Sequence, residues 1–323
     1  MTEHNFADRL IDAIRARGSP CIVGLDPRLE SMPRFLLAAA ETLPRDEAVY
    51  EILAGFGRAV MDAAADLVPA VKVQSAFYEL HGVPGLRALI ETVRYARASG
   101  VLAIVDGKRG DVALTAAAYA EALLGEAAWR GEARETIGGD AATVSPYLGR
   151  DSLEPWLDVC RRRGRGVFVL VRTSNPGSAD LQGVGLAGGG VVQERVAAMV
   201  TQLGEGLLGA RGYSAVGAVV GATFPAEAAR LRRLMPRVIF LVPGYGAQGG
   251  EAAGVAGCFD QNGLGAVVSA SRSITYPRGA AAAASPADYR ALVRASLQAM
   301  IADVRSSLER TPPPAPAPSA VPS

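Results

Sequence analysis

Gly166-Val167-Phe168-Val169-Leu170-Val171 is a run of six residues without a polar side chain. A strand with one wet face alternates apolar and polar residues. A strand of a parallel sheet, covered by helices on both faces, reads as one continuous apolar run. Residues 166–171 are therefore expected to form a buried parallel strand. Seven similar runs occur, at residues 21–25, 70–73, 101–105, 142–145, 215–221, 238–242 and 266–269. Between them lie Gly/Pro/Asp-rich junctions and longer Ala- and Leu-rich segments of helical period. Eight strands alternating with helices in one chain give an α/β protein, and the count predicts a closed TIM (β/α)₈ barrel. A two-domain chain with an open Rossmann-like sheet is the alternative that the pattern alone leaves open.

Composition bounds the function. The 323 residues are 50% hydrophobic and 20% charged, with 33 basic and 32 acidic side chains and a net charge of +1. No overall field draws the chain to nucleic acid or to an anionic membrane, so recognition of an anion has to be local. Cys21, Cys160 and Cys258 are odd in number and far apart, which predicts neither a disulfide framework nor a zinc site. The first residues are polar and no apolar run approaches the roughly 20 residues that cross a bilayer. A cytoplasmic protein without signal peptide or anchor is expected. Residues 125–140 interrupt the repeat as a surface excursion. The stretch 311–323 is Pro, Ala and Ser, which predicts a disordered tail behind a single barrel domain of residues 1–310.

In such a barrel the active site lies at the carboxyl ends of the strands. Three of the predicted strands carry charge there. The first is followed by Asp26, the second contains Lys72, and the third runs into Asp106-Gly107-Lys108-Arg109-Gly110-Asp111. Lysine and aspartate are seldom buried unless paired, so Lys72 within Val71-Lys72-Val73 is expected to point into the barrel toward acidic partners. Asp106 and Lys108 stand two apart, which sends both side chains from one face of the pleat. Taken singly, Asp26 before Pro27 reads as a turn residue, Lys72 as a strand-edge lysine and Asp111 as the N-cap of a helix starting near Val112. Those separate readings leave the alternation of charge over three successive strands unexplained.

The Asp106-x-Lys108-x-x-Asp111 pattern, preceded by Lys72, resembles the signature of the orotidine 5'-monophosphate decarboxylase family. Further landmarks follow in order: Thr173-Ser174-Asn175-Pro176-Gly177 after the fifth strand, the glycine-rich 243–250 after the seventh, and Ser271-Arg272-Ser273 after the eighth. Their wording and the chain length look like the branch found in mycobacteria and related bacteria.

The resemblance implies conversion of orotidylate to uridylate and CO₂, with Lys108 stabilising and then protonating a carbanion at C6 and Asp106 lying against the departing carboxylate. It further implies that Asp26 and Lys72 hold the ribose hydroxyls, that Ser174 bonds the pyrimidine amide and that Gln248 bridges phosphate and pyrimidine. Backbone N–H groups around Gly249, together with Arg272, suit a phosphate. The family is dimeric, with Asp111 and Thr115 reaching the neighbouring site, and uses no metal or organic cofactor. Two rivals share parts of the pattern. Magnesium-dependent sugar-phosphate decarboxylases or aldolases need another acidic ligand, where this chain has Gln74. A non-catalytic phosphate-binding barrel has no use for the charged tetrad.

Overall fold

The computed structural model describes residues 5–245 and 252–310. Its strands are β1 (Cys21–Leu25), β2 (Ala70–Gln74), β3 (Leu102–Arg109), β4 (Glu126–Trp129), β5 (Glu132–Glu135), β6 (Ala141–Val144), β7 (Gly166–Arg172), β8 (Ser214–Val220), β9 (Val238–Pro243) and β10 (Ala266–Ala270). Eight of them close a parallel barrel in the order β1-β2-β3-β6-β7-β8-β9-β10. Each predicted run is found within one residue at either end, except that β3 extends to Arg109. There the strand resumes pairing with β6 beyond a bulge that the sequence pattern does not show.

Burial explains why these runs are strands. All five residues of β1 and all seven of β8 are buried, as they must be between barrel interior and outer helices. Each fully buried Val, Leu, Ile or Phe contributes about 1.5–3 kcal/mol. The outer layer includes the helix Arg45–Ala64, the helix Gly82–Ala98 and the C-terminal helix Pro286–Arg310.

A helix at Phe6–Arg17 precedes the first strand and lies across the amino ends of the barrel. The Asn5 side chain caps it by accepting from Ala7 N at 2.8 Å. Phe6 meets Phe168 edge-on at 5.9 Å between ring centres, and Arg9 pairs with Asp140 at 2.7 Å. Asp140 is almost fully buried and also accepts from Arg165 and from Ala103 N. The excursion at 125–140 is not a bare loop, because β4 and β5 pair in it as an antiparallel hairpin. Arg97 and Arg165, both bonded to Glu135, tie that hairpin to the barrel base. Residues 311–323 fall outside the described part of the chain.

Candidate functional site

At the carboxyl end of the barrel opens a cavity of about 570 Å³. Its apolar floor includes Leu170, Val219 and Leu241 from β7, β8 and β9, and one side is charged. Asp106 is the centre of that side and is 4% exposed. Oδ1 accepts from Lys108 Nζ at 2.7 Å and from Thr143 Oγ1 at 2.8 Å, and Oδ2 accepts from Lys72 Nζ at 2.8 Å and from Gln74 Nε2 at 3.0 Å. Four donors thus saturate one carboxylate. Burial by itself raises its pKa, but Lys72 and Lys108 outweigh burial and hold Asp106 well below the usual carboxylate range.

Lys72 points inward from β2, as expected of a buried lysine with acidic partners. Burial pulls its pKa down, but Asp106 and Asp26 more than compensate and raise it above 10.5. The Asp26 carboxylate stands 3.8 Å from Lys72 Nζ. Asp26 is held by its backbone: Tyr276 Oη donates to the Asp26 carbonyl at 3.2 Å and accepts from Arg28 N at 2.9 Å. The Tyr276 ring is itself stacked on Phe56, so the turn after β1 is anchored on the core.

Lys108 reaches the cavity from the bulged end of β3, with its side chain 44% exposed. Its φ of +46° lies in the left-handed region, which a residue with a side chain adopts only when its surroundings impose it. Lys108 N donates to Thr143 Oγ1 at 2.9 Å.

Across the cavity, Ser174 lies in the loop after β7, where its backbone closes on Gly221. A Cβ at Gly221 would stand 3.0 Å from Ser174 N. Gln182 fastens this loop by accepting from Thr173 N at 2.9 Å and donating to Thr173 Oγ1 at 2.8 Å. Beneath it the buried Arg172 pairs with Glu227 at 2.7 Å, stacks on Phe224 and donates to Ser178. Arg272 heads the short helix after β10 and lines the cavity rim. Gly244, with φ +98°, begins the loop after β9 in a conformation suited to glycine. Gln248 and Gly249 lie outside the described residues.

Asp26, Lys72, Asp106, Lys108, Ser174 and Arg272 are thus gathered around one cavity. Asp111 and Thr115 are not among its lining residues. Asp111 is also not the N-cap: the helix runs Ala113–Leu124 after a cap at Val112, and the Asp111 carboxylate accepts from Val112 N at 2.8 Å. The helix thus starts one residue beyond Val112, with Val112 in extended backbone at the cap. Sequence reading passed over Thr143 and Arg28, which also line the cavity. A threonine inside an apolar strand gives no signal of its own, and Arg28 reads as one more turn residue. In the sequence Gln74 reads only as a position without a carboxylate; the fold makes it a donor to Asp106.

The family model described as "Orotidine 5'-phosphate decarboxylase / HUMPS family" matches residues 20–286. An orotidine 5'-phosphate decarboxylase of Rhodopirellula baltica is 49% identical over 271 residues, 84% of this chain and 88% of that one. One from Deinococcus radiodurans is 42% identical over 275 residues, covering 85% and 90%. The structure of Leishmania donovani OMP decarboxylase superposes with a TM-score of 0.69 at 29% identity, covering 94% of this chain and 99% of that one. With the family model matching well over half its length and a relative 49% identical, the chain belongs to the orotidine 5'-phosphate decarboxylase / HUMPS family, and these relatives are carboxy-lyases.

Proposed function

We propose that this enzyme decarboxylates orotidine 5'-monophosphate to uridine 5'-monophosphate and CO₂ in pyrimidine biosynthesis, with Lys108 stabilising and protonating C6. The observation that carries this reading is the Lys72-Asp106-Lys108 array, a carboxylate clamped between two ammonium groups at the edge of a part-apolar cavity.

Breaking the bond from C6 to the carboxylate leaves an electron pair at C6 with no carbonyl placed to receive it. The Lys108 ammonium, on a tether fixed by Asp106, stabilises that charge and then hands C6 a proton, which solvent replaces. In the bound substrate the carboxylate lies against Asp106. Two like charges about 4 Å apart at an effective dielectric of about 20 repel by about 4 kcal/mol, and the repulsion vanishes as CO₂ leaves. Lys72 keeps Asp106 ionised and, with Asp26, receives the ribose hydroxyls. Ser174 bonds the pyrimidine amide. Arg272, with Gln248 and Gly249, takes the phosphate, which is the usual task of loops after strands seven and eight.

The catalytic unit is the barrel of residues 1–310, acting in the cytoplasm as a homodimer. Among the described residues no helix is long and apolar enough to cross a membrane. Leu80, Val83, Leu114 and Tyr147 are each more than 70% exposed and follow the adjacent strands β2, β3 and β6. A second copy covering these side chains is the arrangement in which Asp111 and Thr115, close to Leu114 in the chain, would serve the neighbouring cavity. No metal is assigned. The magnesium-dependent reading needs a further carboxylate, whereas β2 ends in Gln74, which donates to Asp106. Among the described residues there is no group of three or more His, Cys, Asp or Glu able to hold an ion.

The test follows the ultraviolet absorbance of orotidine 5'-monophosphate with wild type and Lys108→Ala, both in excess chelator. The wild type is expected to convert it, and the variant to lose about 10³-fold or more in kcat, the worth of one ammonium about 4 Å from a carbanion. A folded wild type that leaves the substrate untouched would refute the assignment.

A further inference from the structure

Thr143 sits opposite the interruption in β3. Val105 pairs with Ala142 and the next pair is Arg109 with Val144, so Asp106, Gly107 and Lys108 together face the single residue Thr143. A bulge of this kind leaves backbone groups of the longer strand without ladder partners. One of them, Lys108 N–H, is at a residue held at φ +46°. The Thr143 side chain, 1% exposed, meets that N–H at 2.9 Å and the Asp106 carboxylate at 2.8 Å. A hydroxyl has one hydrogen and two lone pairs. Here the hydrogen goes to Asp106 and one lone pair accepts from Lys108.

We propose that Thr143 is a positioning residue of this site: its one hydroxyl fixes the left-handed backbone of Lys108 and the orientation of Asp106 together. The inference rests on the decarboxylation reading above. It follows that the ammonium of Lys108 is held at both ends of its side chain. Its backbone is pinned through N–H to Oγ1, and its head is pinned through Nζ to the same Asp106 oxygen that Oγ1 touches. Branching at Cβ restricts χ1 of Thr143 and keeps the hydroxyl at the bulge. With its hydrogen spent on Asp106, Thr143 is left with no hydrogen to offer the substrate. Its loss is therefore expected in turnover and not in binding.

Thr143→Val keeps the shape and removes the hydroxyl; Thr143→Ser keeps the hydroxyl. Steady-state kinetics with orotidine 5'-monophosphate, calorimetric affinity for uridine 5'-monophosphate and crystal structures of both variants are to be measured. The valine variant is expected to lose about 10- to 100-fold in kcat, the scale of a lost hydrogen bond to a charged group, with KM and product affinity within about threefold of wild type. Serine is expected to restore kcat to within about threefold. In the valine variant φ of Lys108 should leave the left-handed region, and in the serine variant it should stay.

Unchanged kcat in the valine variant, an equal loss in both variants, or a loss shared by product affinity would overturn the proposal. Should the valine variant fail to fold, Thr143→Ala against Thr143→Ser decides by the same comparison. A wild type without decarboxylase activity refutes the substrate reading alone, and the φ of Lys108 in the two variants still decides the role of Thr143.

Discussion

Replacing Asp106 by Asn leaves the shape of the side chain and removes the charge between two lysines. Lys72 is 6% exposed, so it cannot turn to water for compensation, and its remaining anion is Asp26 at 3.8 Å. The two ammonium groups bind opposite oxygens of Asp106 at 2.8 and 2.7 Å, which puts them on the order of 6 Å apart. At an effective dielectric of about 20 their unopposed repulsion is about 3 kcal/mol. The amide also turns an N–H toward donors that had faced a carboxylate oxygen. Removal of one partner of a buried ion pair costs about 3–5 kcal/mol, and Asp106→Asn is expected within that range at pH 7.

The pH dependence has a definite sign. Native Asp106 titrates below its unfolded value, so its contribution is complete above about pH 4 and is lost as the pH falls below that. Native Lys72 titrates above 10.5, so its contribution is complete below that and is lost as the pH rises through the native value. In the variant Lys72 has lost its main anion, its native pKa falls, and stability improves as the pH climbs toward the unfolded value of about 10.4. The gap between the two proteins is therefore widest from about pH 4 to 9 and narrows on either side. Equilibrium urea unfolding at matched protein concentration, at pH 7 and pH 10.5, measures it. A variant within about 1 kcal/mol of wild type at pH 7, or a gap that does not narrow at pH 10.5, would refute the reasoning.

Asp140→Ala at the opposite end of the barrel strips the buried Arg165 of one anion and should cost about 3–5 kcal/mol in the same unfolding assay while leaving kcat unchanged, so a drop in kcat would contradict the separation of base from site. Glu227→Gln removes the counter-charge of buried Arg172 beneath the loop of Thr173 and Ser174, and steady-state kinetics should show KM rising about tenfold with kcat within about threefold; an unchanged KM counts against that anchoring. For the shared site, Lys108→Ala and Asp111→Ala mixed as subunits give hybrids with one intact site each. Half of the dimers are hybrids and half of their sites work, so about a quarter of wild-type activity should return on mixing, and no recovery would count against Asp111 serving the partner.

Strand positions and the identity of the charged groups were legible in the sequence because both depend on local chemistry. Runs such as 166–171 exclude water from both faces wherever they occur, and eight of them in one chain close a barrel. A lysine between two valines has to find an anion, and Lys72 finds two.

What tertiary structure decided is how neighbouring strands run out of register. The bulge that carries β3 on to Arg109 depends on pairing with β6, 35 residues later, and no periodicity within 101–111 contains it. It sets Lys108 in a left-handed conformation. It also gives Thr143 a task that its place in an ordinary strand conceals. Likewise, Gln74 becomes a donor to Asp106 only because β2 and β3 are adjacent with those two residues in register. Sequence alone determined which side chains need partners, since the cost of burying a charge belongs to the residue. The fold determined which partners they have, since that depends on register between strands distant in the chain.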